Sequence, residues 1–298
     1  MKRLIAVDWG TSSLRAALMQ DGVVVDAHDS SRGILAVEAG GFAAVLQAAC
    51  GHWMDGQTLT LMCGMAGSRQ GWIEAPYCPC PAGFAQVASR LAWVATDENP
   101  VAIVPGLSHE KDGVPDVMRG EETQIFGALG LLDVRDGLFV LPGTHSKWAQ
   151  VRSARIHSFD TFMTGEFYAL LRSHSILART LPGGDGPLDE PAFRQGLEHA
   201  RTAGSLLRAA FSARTLALFG RMADTALPSY LSGMVIGEEL RLQPLGSVQE
   251  PVIIIGSDAL TQRYEIALRT FGAPCRRVDA QATWRGLWDI AQTLENMP

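Results

Sequence analysis

Apolar and polar positions fall into short blocks along this chain, and one arrangement of blocks occurs twice. Residues 4–7 are continuously apolar, as in a strand buried on both faces, and run into Asp8-Trp9-Gly10-Thr11-Ser12-Ser13. Residues 14–19 read as a returning strand, Asp21-Gly22 as a tight hairpin turn and residues 23–26 as a third strand. Roughly 134 residues later the layout recurs. A strand at 138–141 leads into Pro142-Gly143-Thr144-His145-Ser146-Lys147, followed by a strand at 148–151, a turn at 152–154 and a strand at 155–159. A repeat at close to half the chain length predicts a duplicated domain, each copy a β-meander followed by βα units.

The remaining pattern fills in both copies. The first half predicts helices at 41–54, 83–95 and 120–132, with strands at 58–63 and 101–104. The second predicts helices at 165–180, 190–211, 213–223 and 229–242, an apolar strand at 252–255, a helix at 259–270, a short strand at 276–278 and a closing helix at 283–295. The expectation is an α/β chain of two domains, 1–133 and 134–298, around an interdomain cleft, with the last helix free to pack back across it.

Composition narrows the classes. With 47% hydrophobic and 19% charged residues in 298, the chain can bury a core and is not a disordered one. A net charge of −6 argues against a nucleic-acid or anionic-membrane partner. No apolar run reaches the roughly 18 residues that a membrane span needs, and the first residues lack a signal-peptide pattern. Five scattered cysteines, with Cys78 and Cys80 too close for a zinc knuckle, read as reduced thiols in a cytoplasmic protein. Only three lysines stand beside 22 arginines. Codon bias accounts for that ratio, but it draws attention to Lys147, which lies inside a motif.

The two hairpin loops carry the chemistry. Asp8-Trp9-Gly10-Thr11-Ser12-Ser13 joins antiparallel strands, so it is not the strand-to-helix loop of a Walker or dinucleotide site. Its backbone N–H groups and hydroxyls suit a phosphate tail, with Gly10, Thr11 and Ser12 as contacts. Asp8, at the end of a buried strand, suits Mg²⁺, directly or through water. The alternative is an ordinary polar hairpin. Gly143, Thr144, Ser146 and Lys147 hold equivalent places in the second loop, where Lys147 would add a cation at the β- and γ-phosphates. Gly256-Ser257, after the strand at 252–255, would let an adenine or ribose lie close to the backbone.

Together these three segments resemble the nucleotide-binding segments of the actin, hexokinase and Hsp70 superfamily. The resemblance implies two actin-like (ribonuclease H-like) domains and the use of ATP with Mg²⁺. Longer stretches narrow it: Cys63-Gly64-Met65-Ala66-Gly67-Ser68-Arg69-Gln70-Gly71-Trp72, Glu74-Ala75-Pro76-Tyr77, Val104-Pro105-Gly106, Asp116 to Gln124, Leu141 to Trp148, and Phe162-Met163-Thr164-Gly165-Glu166. These look like the 2-dehydro-3-deoxygalactonokinase family over essentially the whole chain. Membership implies phosphorylation of the terminal hydroxyl of 2-keto-3-deoxygalactonate, in galactonate breakdown, ahead of an aldolase. One departure is that Leu141-Pro142 stands where many sugar kinases of the superfamily have an aspartate.

The base is therefore sought elsewhere, among Glu121, Glu122 and Asp160. The two glutamates open a predicted helix, and their segment resembles the Gly-x-Glu-Glu stretch of exopolyphosphatases. Arg69 is the expected grip on the substrate carboxylate, with Ser68, Gln70 and Trp72 completing the pocket and Thr164 contributing from the second half. Two other classes remain open: a phosphohydrolase of the same superfamily, and a non-catalytic nucleotide-dependent binding protein. The segment 64–77 favours the kinase, and the absence of room for an interaction domain disfavours the binding protein. Apolar surface on the last helix permits a homodimer.

Overall fold

The computed structural model describes residues 1–96, 99–247, 250–279 and 281–297. Its strands are β1 (Arg3–Trp9), β2 (Leu14–Gln20), β3 (Val23–Ser30), β4 (Thr60–Gly64), β5 (Cys78–Pro79), β6 (Ala92–Val94), β7 (Val101–Ile103), β8 (Leu107–Lys111), β9 (Val114–Met118), β10 (Gly137–Leu141), β11 (Ser146–Arg152), β12 (Arg155–Phe162), β13 (Val252–Ile255) and β14 (Cys275–Val278). The helices are α1 (Phe42–Cys50), α2 (Phe84–Ala88), α3 (Glu121–Leu132), α4 (Thr164–His174), α5 (Glu190–Thr202), α6 (Leu206–Ala209), α7 (Ser212–Leu218), α8 (Leu227–Arg241), α9 (Asp258–Thr270) and α10 (Gln281–Glu295). Two compact units result. Unit 1 comprises Met1–Gly137, Ala149–Asp160 and Val278–Pro298; unit 2 comprises Leu138–Trp148 and Thr161–Arg277.

In unit 1 the main sheet runs β3-β2-β1-β4-β7-β6. β1 is central because its residues are apolar on both faces: it pairs antiparallel with β2 and parallel with β4. The β2–β3 turn is made by Asp21 and Gly22 at φ 47° and 82°, the left-handed pair that a two-residue hairpin requires. Trp9 is fully buried against Phe42, with ring centroids 5.4 Å apart, and Trp72 packs on both rings. Behind the sheet α10 lies almost in backbone contact with α3. A Cβ at Gly127 would come 1.7 Å from Ala282 O, and one at Gly286 would come 1.9 Å from Thr123 O. The small residues thus let α10 seat the helix that begins with Glu121 and Glu122.

Two differences from the sequence expectation lie here. The helix expected at 83–95 is only the short α2, because Trp93 and Val94 pair with β7 as an antiparallel edge strand. A three-stranded sheet, β5-β8-β9, was not anticipated. Its hairpin turns at Asp112-Gly113, at φ 54° and 78°, the same dipeptide signal as at Asp21-Gly22. The mostly polar strands around it, LSHEK and VPDVM, gave no apolar alternation to mark them.

The second large sheet runs β12-β11-β10-β13-β14. The β12-β11-β10 meander followed by parallel β13 repeats the β3-β2-β1 meander followed by parallel β4. Its tight turn uses Ser153 and Ala154 at φ 52° and 57°. Within unit 2, α8 is buried around nearly its whole circumference and packs on α5. A Cβ at Gly233 would lie 2.0 Å from Phe193 O. The helix expected over 190–211 stops at Thr202, since Gly204 takes φ 74° and the chain restarts as α6. The expected α/β class with duplicated meanders is the class observed.

Candidate active site

The loop of the Asp8 hairpin starts two residues later than the pattern predicts: Asp8 and Trp9 still belong to β1, opposite Cys63 and Gly64 of β4. Beyond them Gly10 N–H donates to Ser13 O at 2.8 Å, closing the turn, and Thr11, Ser12 and Ser13 are exposed. Asp8 is mostly buried and its Oδ2 accepts from Arg15 Nη2, while the Cys63 thiol points at Oδ1 from 3.9 Å. Burial first, and then the charges of Asp8 and Glu122, push that thiol far up, so it stays protonated.

Gly64 brings the next segment in. At φ 88° it has no side chain, and a Cβ there would lie 2.8 Å from Trp9 O and 3.3 Å from Asp8 Oδ1. Gly120, at φ 103°, approaches Gly64 in turn: its Cβ would lie 3.3 Å from Gly64 Cα. The start of α3 is thereby brought beside the Asp8 strand end. Glu122 is wholly buried; its Oε2 accepts from Gly120 N–H at 2.7 Å and its Oε1 from Thr123 Oγ1 at 2.8 Å. Glu121 is part-exposed and accepts from Arg119 N–H at 3.0 Å. Burial, reinforced by the charge of Glu121, raises the Glu122 carboxyl from its ordinary 4.5 to about 7.

The linkage has a defined sign. Between pH 4.5 and about 7 folded Glu122 keeps a proton that the unfolded chain has released, so its contribution to stability is complete below 4.5 and is lost as pH rises through about 7. At about 1.4 kcal/mol per tenfold change the loss is roughly 3 kcal/mol. Urea unfolding between pH 5 and 8 should therefore show Glu122→Gln losing less stability than wild type as pH rises. Parallel curves would mean that Glu122 is ionised throughout.

Of the other unit 1 candidates, Asp160 is half-exposed and paired with Lys111 Nζ at 3.1 Å. Arg69 lies at the surface: its side chain is 86% exposed and its Nε is held by Glu74 Oε1 at 2.9 Å. Gln70 is exposed beside it, and the Ser68 hydroxyl is buried without a partner. Trp72 is a core aromatic, stacked on Phe42 at 6.2 Å, with an edge on a cavity of about 400 Å³ that Gln47 and Met54 share.

In unit 2 the second hairpin is built around a buried carboxylate. Glu239 Oε1 accepts from Ser146 Oγ at 2.8 Å and from Trp148 Nε1 at 2.6 Å, and its Oε2 from Tyr264 OH at 2.7 Å and from Thr164 Oγ1. Burial raises this carboxyl and the four donors pull it back. The hydroxyls of Ser146 and Thr164, expected to face ligand, are thus turned inward to Glu239. What they do is hold the Gly143 loop to the start of α4, where Glu166 N–H donates to Thr144 O at 3.0 Å. Lys147 is not a solvated surface lysine: it is 4% exposed, with Nζ donating to His145 O at 3.2 Å.

Gly256 follows β13 beside this loop, with Pro142 O 3.7 Å from its Cβ position, and Ser257 stands at the N-cap position of α9 without a side-chain cap hydrogen bond. Gly143, Thr164 and Gly165 open with Ala259, Leu260 and Arg263 into one cavity of about 300 Å³. The structure therefore joins the Gly143 loop, Thr164 and the 256–260 corner. Among the described residues no group of three or more His, Cys, Asp or Glu could hold a metal by itself. Mg²⁺ is commonly held by one or two carboxylates and substrate phosphates, and Asp8 at its hairpin fits that mode.

The pattern left three contributors unassigned. Glu239 was legible only as one of two adjacent acids, Glu238 and Glu239, after the largely small and apolar first turns of α8. Cys63 and Arg119 lay inside quoted motifs and drew no role.

The model of the family described as 2-keto-3-deoxy-galactonokinase matches residues 8–290. The chain is 34% identical over 296 residues to the 2-dehydro-3-deoxygalactonokinase of Escherichia coli (strain K12), covering 99% of each. It is 36% identical over 299 residues to a Rhizobium meliloti (strain 1021) protein provisionally given the same name, covering 97% of this chain and 96% of that one. A crystal structure from Sinorhizobium meliloti, provisionally described as a 2-dehydro-3-deoxygalactonokinase protein, is similar at a TM-score of 0.90 and 34% identity, covering 99% of this chain and all of the other. No helix among the described residues is long and apolar enough to cross a membrane.

Proposed function

This chain belongs to the 2-keto-3-deoxy-galactonokinase family and is a sugar kinase, and from that premise we propose that it transfers the γ-phosphoryl group of ATP to the C6 hydroxyl of 2-keto-3-deoxygalactonate. The products are the 6-phosphate and ADP, and the place is galactonate breakdown in the cytoplasm. The observation that carries the reaction type is the convergence in unit 1 of the Asp8 strand end, Gly64, Gly120 and the acidic start of α3. A phosphoryl transfer asks for phosphates held, charge neutralised and an acceptor hydroxyl oriented, and these groups are of the types required.

In this proposal the backbone and hydroxyls of Gly10, Thr11 and Ser12, and those of Gly143 and Thr144, bind phosphate oxygens. Lys147 adds positive charge beside the second loop. The unit 2 cavity takes the adenosine, with Gly256 and Ser257 at its edge. Asp8 would hold Mg²⁺, which when bound supplies charge neutralisation at the phosphates. Glu121, part-exposed where Glu122 is sealed, takes the acceptor proton as the new P–O bond forms and the bond to the ADP oxygen breaks.

The test is ADP release with Mg-ATP and 2-keto-3-deoxygalactonate, its gluco epimer, galactonate, or no acceptor. Rapid release with the first compound alone is expected. Release without acceptor at the same rate would replace the kinase by a hydrolase.

A further inference from the structure

We propose that Arg119, not Arg69, is the cation that recognises the substrate's carboxylate, with Ser68 beside it for the adjoining keto oxygen; this rests on the sugar-acid kinase function proposed above. Arg119 lies between β9 and α3, and its guanidinium is enclosed within unit 1. Nη2 donates to Ala75 O at 2.8 Å, the plane lies 4.5 Å from the Tyr77 ring centre, and Nη1 is so close to Gly67 that a Cβ there would stand 2.8 Å away. Nε and Nη1 are buried without a hydrogen-bond partner, and no carboxylate among the described residues pairs with the group. A buried cation without an anion is costly, and so is a buried hydroxyl without a partner.

Ser68 Oγ, one residue from Gly67, is also buried and unpartnered. Two unsatisfied polar groups around one glycine need a ligand rich in acceptors, and a carboxylate next to a keto oxygen supplies acceptors to both. The same loop carries the proposed base, since Arg119 N–H donates to Glu121 Oε2 at 3.0 Å. Gly67 is essential to this arrangement because any side chain there would collide with the guanidinium. Arg69 is a poorer candidate: it is solvated, and Glu74 already on its Nε would repel an arriving carboxylate.

The experiment measures turnover of the sugar acid and of its uncharged methyl ester, together with calorimetric binding of the acid, for wild type, Arg119→Met, Arg119→Lys and Arg69→Ala. Arg119→Met keeps the apolar stem and removes the charge. It should raise KM for the acid about 100-fold, leave the KM for ATP and the ester's kcat/KM within a few-fold, and so erase discrimination between acid and ester. Arg119→Lys should recover part of the acid preference, and it carries the test if the Met variant does not fold. Equal losses on acid and ester would make Arg119 a structural stack and overturn the proposal, as would a larger acid-specific loss in Arg69→Ala. Wild type that binds the acid without phosphorylating it, with binding lost in Arg119→Met, would sink the kinase function and keep Arg119. Wild type that does not bind the acid overturns both.

Discussion

Glu121→Gln should lower kcat by about 10²- to 10⁴-fold while leaving the KM for ATP within a few-fold, the range expected when a positioned base is lost. The carboxylate stands at the first turn of α3, and one oxygen is oriented by Arg119 N–H. Glutamine keeps the size and an acceptor oxygen but cannot take a proton. A second readout comes from Glu122. The charge of Glu121 is the smaller of the two causes that raise the Glu122 carboxyl to about 7, so Glu121→Gln should move the pH dependence of stability associated with Glu122 to lower pH. Steady-state kinetics decide the assignment. A kcat within threefold of wild type would remove Glu121 from the chemistry, and a larger loss in Asp160→Asn would transfer the role to Asp160.

Asp8→Asn should reduce metal-dependent turnover on the order of 10³-fold. The amide side chain would keep the strand end and an acceptor for Arg15 but lose the negative charge that Mg²⁺ requires. Its effect on folding should be small by comparison. The Asp8–Arg15 pair is partly solvated, and such pairs contribute roughly 1 kcal/mol or less. The variant should therefore show a weakened response of rate to Mg²⁺ together with a near-normal urea midpoint. Wild-type rates at saturating Mg²⁺ would take Asp8 out of the site.

What could be read along the chain was the part with local causes. Continuous apolar runs marked β1 and β10, Asp21-Gly22 marked a hairpin, and the repeated block order marked the duplication that the two large sheets display. The same kind of signal at Asp112-Gly113 failed to reveal β8 and β9, because their polar strands lack alternation. The resemblance to a kinase family was equally local, carried by contiguous motifs.

Side-chain commitments were not local. Ser146 and Thr164 looked like ligand hydroxyls in their own loops, yet both are bound by Glu239, at 93 and 75 positions' distance. Arg69 and Arg119 are both arginines beside glycine-bearing motifs. Packing leaves one exposed on Glu74 and encloses the other between Gly67, Ala75 and Tyr77. The sequence by itself determined the class of fold, its repetition and the kind of reaction, since each follows from periodicity or from contiguous residues. The tertiary structure alone decided which polar groups are satisfied within the protein and which are buried without a partner, because burial and hydrogen bonding depend on residues brought together from distant parts of the chain.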